Sequence, residues 1–152
     1  LTRTGLLDIP ILYLSRHINQ HKAEYYRLLQ SVREEGEWES WVLYMLEAVE
    51  KTSRTTLALV EGIRKQMADV KQRMRTHLPK LYSQDLLNNL FRHPYTRIQF
   101  VRDDLRVTRQ TAAEYLEQLV DKGFLEKHKS GRSNYYINTA LVALFLQVSE
   151  GS

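Results

Sequence analysis

The chain has 152 residues, 22 Lys+Arg against 18 Asp+Glu, a formal net charge of +4 and a pI of about 9.3. Hydrophobic residues make up 43% of it, too many for a disordered chain, and no apolar run reaches the roughly 18 residues a membrane span needs. The absence of cysteine excludes a disulfide framework and thiolate metal sites. With no charged-then-apolar leader in view, a cytoplasmic location with no membrane partner is expected. The first residue is Leu1 rather than Met, so a longer parent protein is also expected.

Gly and Pro are sparse, six and three residues, so most of the chain can be helical. Pro10 opens a short helical segment, Ile11 to Ile18. From His21 to Arg33 the apolar positions Tyr25, Leu28, Leu29 and Val32 recur at helical spacing, and Gly36 ends that helix. A longer stripe follows: Trp41, Met45, Ala48, Thr52, Thr55, Leu59, Ile63, Met67, Val70 and Met74. If continuous from Glu37 to Thr76, that helix is roughly 60 Å long at about 1.5 Å per residue. A small core cannot bury such a length. The expectation is a break near Gly62, or packing against another chain or another part of the parent. Pro79 closes the segment and separates two regions, 1–78 and 79–152.

The second region reads differently. Ser83 caps a helix carrying Leu86, Leu87, Leu90 and Phe91, and Pro94 stops it. A helix from Thr96 to Leu105 turns Ile98, Val101 and Leu105 inward. After a short break at Arg106–Thr108, Thr108 caps a third helix with Ala112, Leu116, Leu119 and Val120 buried. Gly123 ends it. Phe124–His128 and Ser133–Asn138 alternate as two strands of a hairpin, joined by Lys129–Arg132. A final helix, Thr139 to Val148, is apolar nearly all round.

Three helices followed by a hairpin spell a winged helix-turn-helix. In that fold the start of the third helix faces base edges in a major groove. Here it offers Arg109, Gln110 and Thr111, with Tyr115 and Gln118 further along. Arg can bind guanine through two hydrogen bonds, and Gln adenine. Lys127, His128, Lys129 and Arg132 make a basic wing suited to phosphates. Against this, Glu114, Glu117 and Asp121 lie on the same solvated side and repel phosphate, and many winged helices contact only proteins. Both DNA and a protein partner stay open.

No self-sufficient catalytic constellation is visible. His17 and His21 stand four apart, a spacing that can hold zinc, but no third ligand matches. The six Gly never form a phosphate-binding loop. Of the adjacent pair Tyr25 and Tyr26, one is expected in the core and the other partly exposed, because neighbours on a helix point about 100° apart.

Several blocks agree, in order, with one family. Gly5-Leu6-Leu7-Asp8-Ile9-Pro10-Ile11-Leu12-Tyr13-Leu14-Ser15-Arg16 resembles the segment after the active-site helix of Fic proteins. Tyr25-Tyr26-Arg27-Leu28-Leu29-Gln30-Ser31-Val32-Arg33 and Trp38-Glu39-Ser40-Trp41 continue it. Pro94-Tyr95-Thr96-Arg97-Ile98, Thr108-Arg109-Gln110-Thr111-Ala112 and Gly131-Arg132 are similar to the winged helix appended to many bacterial Fic proteins.

The resemblance implies a mainly α chain: the C-terminal helices of a Fic-type domain (1–78), then a winged helix-turn-helix with a small β-hairpin wing (79–152). It implies a parent protein adenylyltransferase (a nucleotidyltransferase) that moves AMP from ATP, with Mg²⁺, to a hydroxyl of a target protein. The family signature His-Pro-Phe-x-Asp/Glu-Gly-Asn-Gly-Arg does not occur in the 152 residues. His93-Pro94-Tyr95 echoes only its start. The signature is expected upstream of Leu1, so this chain alone is expected to be inactive and to bind neither ATP nor Mg²⁺. Carried over from the family, Tyr26 and, less directly, Tyr25 border the adenine in the intact enzyme. The competing expectation is a winged-helix transcriptional regulator whose first region forms a homodimer.

Overall fold

A computed structural model describes residues 13–131 and 133–150, with side chains as far as residue 147. The chain is mainly helical with one small sheet. In order come α1 (Leu14–Gln20), α2 (Lys22–Glu35), α3 (Trp38–His77), α4 (Gln84–Arg92), β1 (Tyr95–Thr96), α5 (Ile98–Leu105), α6 (Arg109–Asp121), β2 (Glu126–Ser130), β3 (Ser133–Ile137) and α7 (Thr139–Glu150). Two compact units divide between Val60 and Glu61, and α3 contributes residues to both. None of the described helices is long and apolar enough to cross a membrane.

In the first unit, α2 ends where expected. Gly36 adopts the left-handed conformation (φ 73°) and its N–H donates to the Val32 carbonyl at 3.2 Å. The start of the helix expected over Ile11–Ile18 lies outside the described residues, and α1 continues beyond it to Gln20. Leu28, Tyr44 and Ala48 are buried. Every position of the long stripe, Trp41 through Met74, is buried or half-buried, so the periodicity marks the inward face of α3 correctly. A second set, Trp38, Val42, Leu43, Leu46, Leu57 and Val60, is exposed.

His17 is 8% exposed and stacks on His21, with ring centres 4.4 Å apart. Burial, then the positive charges of His21 and Lys51, hold its imidazole below the ordinary histidine range, while Glu47 works the other way. A base whose folded pKa is depressed stabilises the fold above its unfolded pKa and loses that contribution as pH falls through the folded value. The first unit is therefore expected to loosen on acidification below about pH 6.5. Trp38 and Trp41, both in this unit, report it by fluorescence. His17→Phe should flatten the fluorescence change between about pH 7 and 5.

The expected break at Gly62 does not occur. α3 runs unbroken, and Gly62 serves a contact instead: a Cβ there would stand 2.8 Å from Leu144 Cδ1 of α7. The missing side chain lets α7 approach, and Gln66 of α3 ties the start of α7 by donating to the Ala140 carbonyl at 2.8 Å.

The core of the second unit gathers Met74, Leu86, Leu87, Val101, Leu116 and Leu119, all at most 1% exposed. The caps form as read. Ser83 Oγ accepts from the Leu86 N–H and Thr108 Oγ1 from the Thr111 N–H, each at 3.1 Å. Several boundaries differ. The helix expected from Thr96 starts at Ile98, because Tyr95 and Thr96 pair antiparallel with Ile137 and Tyr136 instead. The sheet thus has three strands, in the order β1-β3-β2. The first hairpin strand begins at Glu126 rather than Phe124, whose apolar side chain is buried in the core, and it extends through Lys129 and Ser130. Asn138 leaves the hairpin to cap α7, its Oδ1 accepting from the Leu141 N–H at 3.1 Å.

Between α5 and α6, Arg106 sits at φ 55°, the left-handed region a Cβ disfavours. Its N–H closes the helix on the Arg102 carbonyl. Arg106→Gly should therefore raise stability by about 1 kcal/mol, read as a higher midpoint in urea.

Candidate functional site

The exposed end of α6 carries the residues singled out from the sequence. Thr108 spends its hydroxyl on the cap and on the Thr111 hydroxyl at 2.9 Å, so Thr111 is partly committed to holding the helix start. Arg109 and Gln110 are exposed; Gln110 donates to Glu114 at 3.0 Å. Gln118 is exposed two turns further on. Tyr115 is half-buried and packs against the core, which leaves it less to offer a ligand than its sequence position suggested.

On the hairpin, Lys129 is exposed and pairs with Asn134 across the ladder, within β2 rather than in the turn. Arg132 lies outside the described residues. Lys127 is not a free cation. Its Nζ meets Glu117 Oε1 at 2.5 Å, and the same carboxylate oxygen accepts from the Tyr136 hydroxyl at 2.8 Å. The expectation that Glu117 is a solvated charge repelling phosphate is corrected: it is half-buried and neutralised, and it ties α6 to both strands of the hairpin. Hydrogen bonds from Lys127 and then Tyr136 hold its carboxyl below the ordinary carboxylate range. Burial, reinforced by Glu117, pushes the Tyr136 phenol well up.

Next to the start of α6 lies a cavity of about 360 Å³, lined by Arg97, Ile98, Gln99, Arg102, Arg109, Ser133 and Asn134. Sequence reasoning picked out only Arg109 of these for binding. No local pattern announces the rest, because the cavity exists only once β3 is laid beside α5 and α6. A nearby polar network positions α5. Thr96 Oγ1 donates to Asn89 Oδ1 at 2.6 Å, Asn89 Nδ2 to Asp104 at 2.7 Å, and Arg92 to the same carboxylate at 2.9 Å.

In the first unit Tyr25 is half-buried, 6.2 Å from the Tyr44 ring. Tyr26 is 56% exposed, with the Lys22 ammonium 5.9 Å from its ring centre. Among the described residues no group of three or more His, Cys, Asp or Glu stands together as a metal site.

The end of α3, α4 to α6 and the three-stranded sheet form one small, mainly helical module. The family model for the C-terminal domain of SoFic-like protein adenylyltransferases matches residues 66–141, half of the chain. The chain belongs to this family, the C-terminal part of Fic-type adenylyltransferases.

Proposed function

We propose that residues 79–152 form a winged helix-turn-helix that binds duplex DNA through the start of α6, as the non-catalytic C-terminal part of a protein adenylyltransferase. The observation that carries the DNA reading is the cavity beside that helix start, lined by three arginines and no carboxylate. α6 projects Arg109 and Gln110 from a capped, positively polarised helix end. Lys129 and Arg132 supply phosphate contacts from the wing.

The family's reaction moves AMP from ATP to a protein hydroxyl. Tyr26, with Tyr25 behind it, offers an exposed ring face to the adenine in the intact enzyme. The family signature that carries the transfer does not occur in the 152 residues, so no step of transfer is assigned to this chain. Its own contribution is recognition. Among the described residues, a protein partner has no comparable apolar face on the second unit to dock against, since exposed large apolar side chains there are confined to Tyr95 and Leu146.

Titration with a labelled duplex at about 50 and 200 mM salt tests the proposal. Binding should weaken steeply between them. Arg109→Ala should relax sequence preference, and Lys129→Ala should weaken all sequences alike and lower the salt slope by about 1. Absence of binding at both salts refutes the DNA reading. A regulator that dimerises through its first region is favoured by the exposed residues Trp38, Val42 and Leu46 of α3. Sedimentation separates it: a monomer across micromolar concentrations excludes that arrangement.

A further inference from the structure

The arginine cavity holds more than the groove-facing residue. Its lining contains no Asp or Glu, whereas Asp103 and Asp104 line a separate cavity with His93 and Tyr95. Arg102 is paired with Asp103, but the charges of Arg97 and Arg109 share this space and raise a mutual repulsion. An anion between them removes it.

Arg97 is held for such a role. Its guanidinium carbon lies 4.6 Å from the Tyr135 ring centre and 5.3 Å from that of Phe100. Stacking of this kind occupies the face of the guanidinium and leaves its N–H edge for a partner with two oxygens. Arg97 Nε is buried and makes no hydrogen bond among the described residues. Buried donors are rarely left unpaired, so this nitrogen is open to a water or an anion once the side chain shifts toward the cavity. Arg109 makes no ion pair among the described residues. Arg102 gives Nε and Nη2 to Asp103, at 2.7 and 2.6 Å, and keeps Nη1. Ser133 and Asn134 line the same space from β3 with neutral polar groups.

We infer that this cavity seats a backbone phosphate of the bound duplex, with Arg97 as its anchor and Arg109 and Arg102 beside it. The two free oxygens of a phosphodiester match the arginine fork. The inference rests on the DNA reading of α6, because Arg109 belongs both to the cavity and to the helix start. It places the main backbone grip at the α5–α6–β3 junction rather than on the wing.

The test uses the full chain and a labelled duplex at the same two salts. Arg97→Gln and, independently, Arg102→Gln should weaken binding about fivefold to tenfold at low salt and each lower the salt slope by about 1. Lys80→Gln, an exposed charge outside the cavity, should change neither. In the unsubstituted chain, where folding is not in question, the Arg97 Nε–H resonance should shift on adding duplex. If the duplex binds but the variants match the parent chain and the resonance does not move, the phosphate seat is wrong while the DNA reading survives. If inorganic phosphate moves the resonance and the duplex does not, the cavity is a small-anion site and the inference is overturned. If no duplex binds, both fall together.

Discussion

Replacing Asn89 by Leu should destabilise the second unit by about 3 kcal/mol, a fall in melting temperature on the order of 10 °C or more. Asn89 is 4% exposed and Thr96 2%. The amide serves both neighbours at once, accepting from Thr96 and donating to Asp104. Leucine has similar bulk but no polar atoms, so the Thr96 hydroxyl is stranded away from water. Asp104 keeps only Arg92. The cost is that of an unsatisfied buried donor plus a weakened charge-assisted bond. The double change Asn89→Leu with Thr96→Val should cost less than the two singles summed, since the stranded hydroxyl is gone. Circular dichroism in urea reads both; additive losses would mean that the hydrogen bond does not couple the two sites. The network also orients α5, and with it Arg97, so Asn89→Leu should weaken duplex binding by more than its effect on the folded fraction alone.

The second large effect is at Tyr136, the largest fully buried side chain, at 0% exposure. Tyr136→Ala should cost about 3–5 kcal/mol, because the cavity left beneath the sheet cannot collapse. Tyr136→Phe keeps the ring and should cost only about 1 kcal/mol, the net value of its hydrogen bond to Glu117. The pair separates packing from polarity. It also predicts a pH effect. The Glu117 carboxyl is held below its ordinary value, so its contribution is complete above the unfolded pKa and lost as pH falls through the folded one. Stability of the parent chain should therefore decline on acidification, with a smaller decline in Glu117→Gln. Equal slopes for both proteins would show that the hairpin tie carries no pH dependence.

Much of the helical grammar was legible in the residues themselves. Ser83 and Thr108 are caps because a short hydroxyl can reach an N–H three residues on, and both do so. Gly36 ends α2 because only glycine adopts its φ of 73° without strain. The stripe from Trp41 to Met74 is the covered face of α3 because helical periodicity is a local property. These features depend on neighbours within a turn or two, and a linear reading reaches that far.

What lay beyond it depends on residues that meet across the chain. Tyr95 and Thr96 extend the sheet only because Ile137 and Tyr136 arrive beside them, and two residues carry no periodicity of their own. Gly62 reads as a weak point in a helix, yet it is the space into which Leu144 fits. Glu117 reads as a solvated acid, yet Lys127 and Tyr136 neutralise it. Arg97 and Arg102 are unremarkable along the chain, yet with Arg109 they line one cavity in the fold. By itself the order of amino acids determined which segments coil, where they stop and which face turns inward, since these follow from backbone stereochemistry and local spacing. Only tertiary structure decided which charges are spent internally and which remain for a ligand, because the strength of an electrostatic interaction depends on distance and burial, and neither is set until distant segments pack.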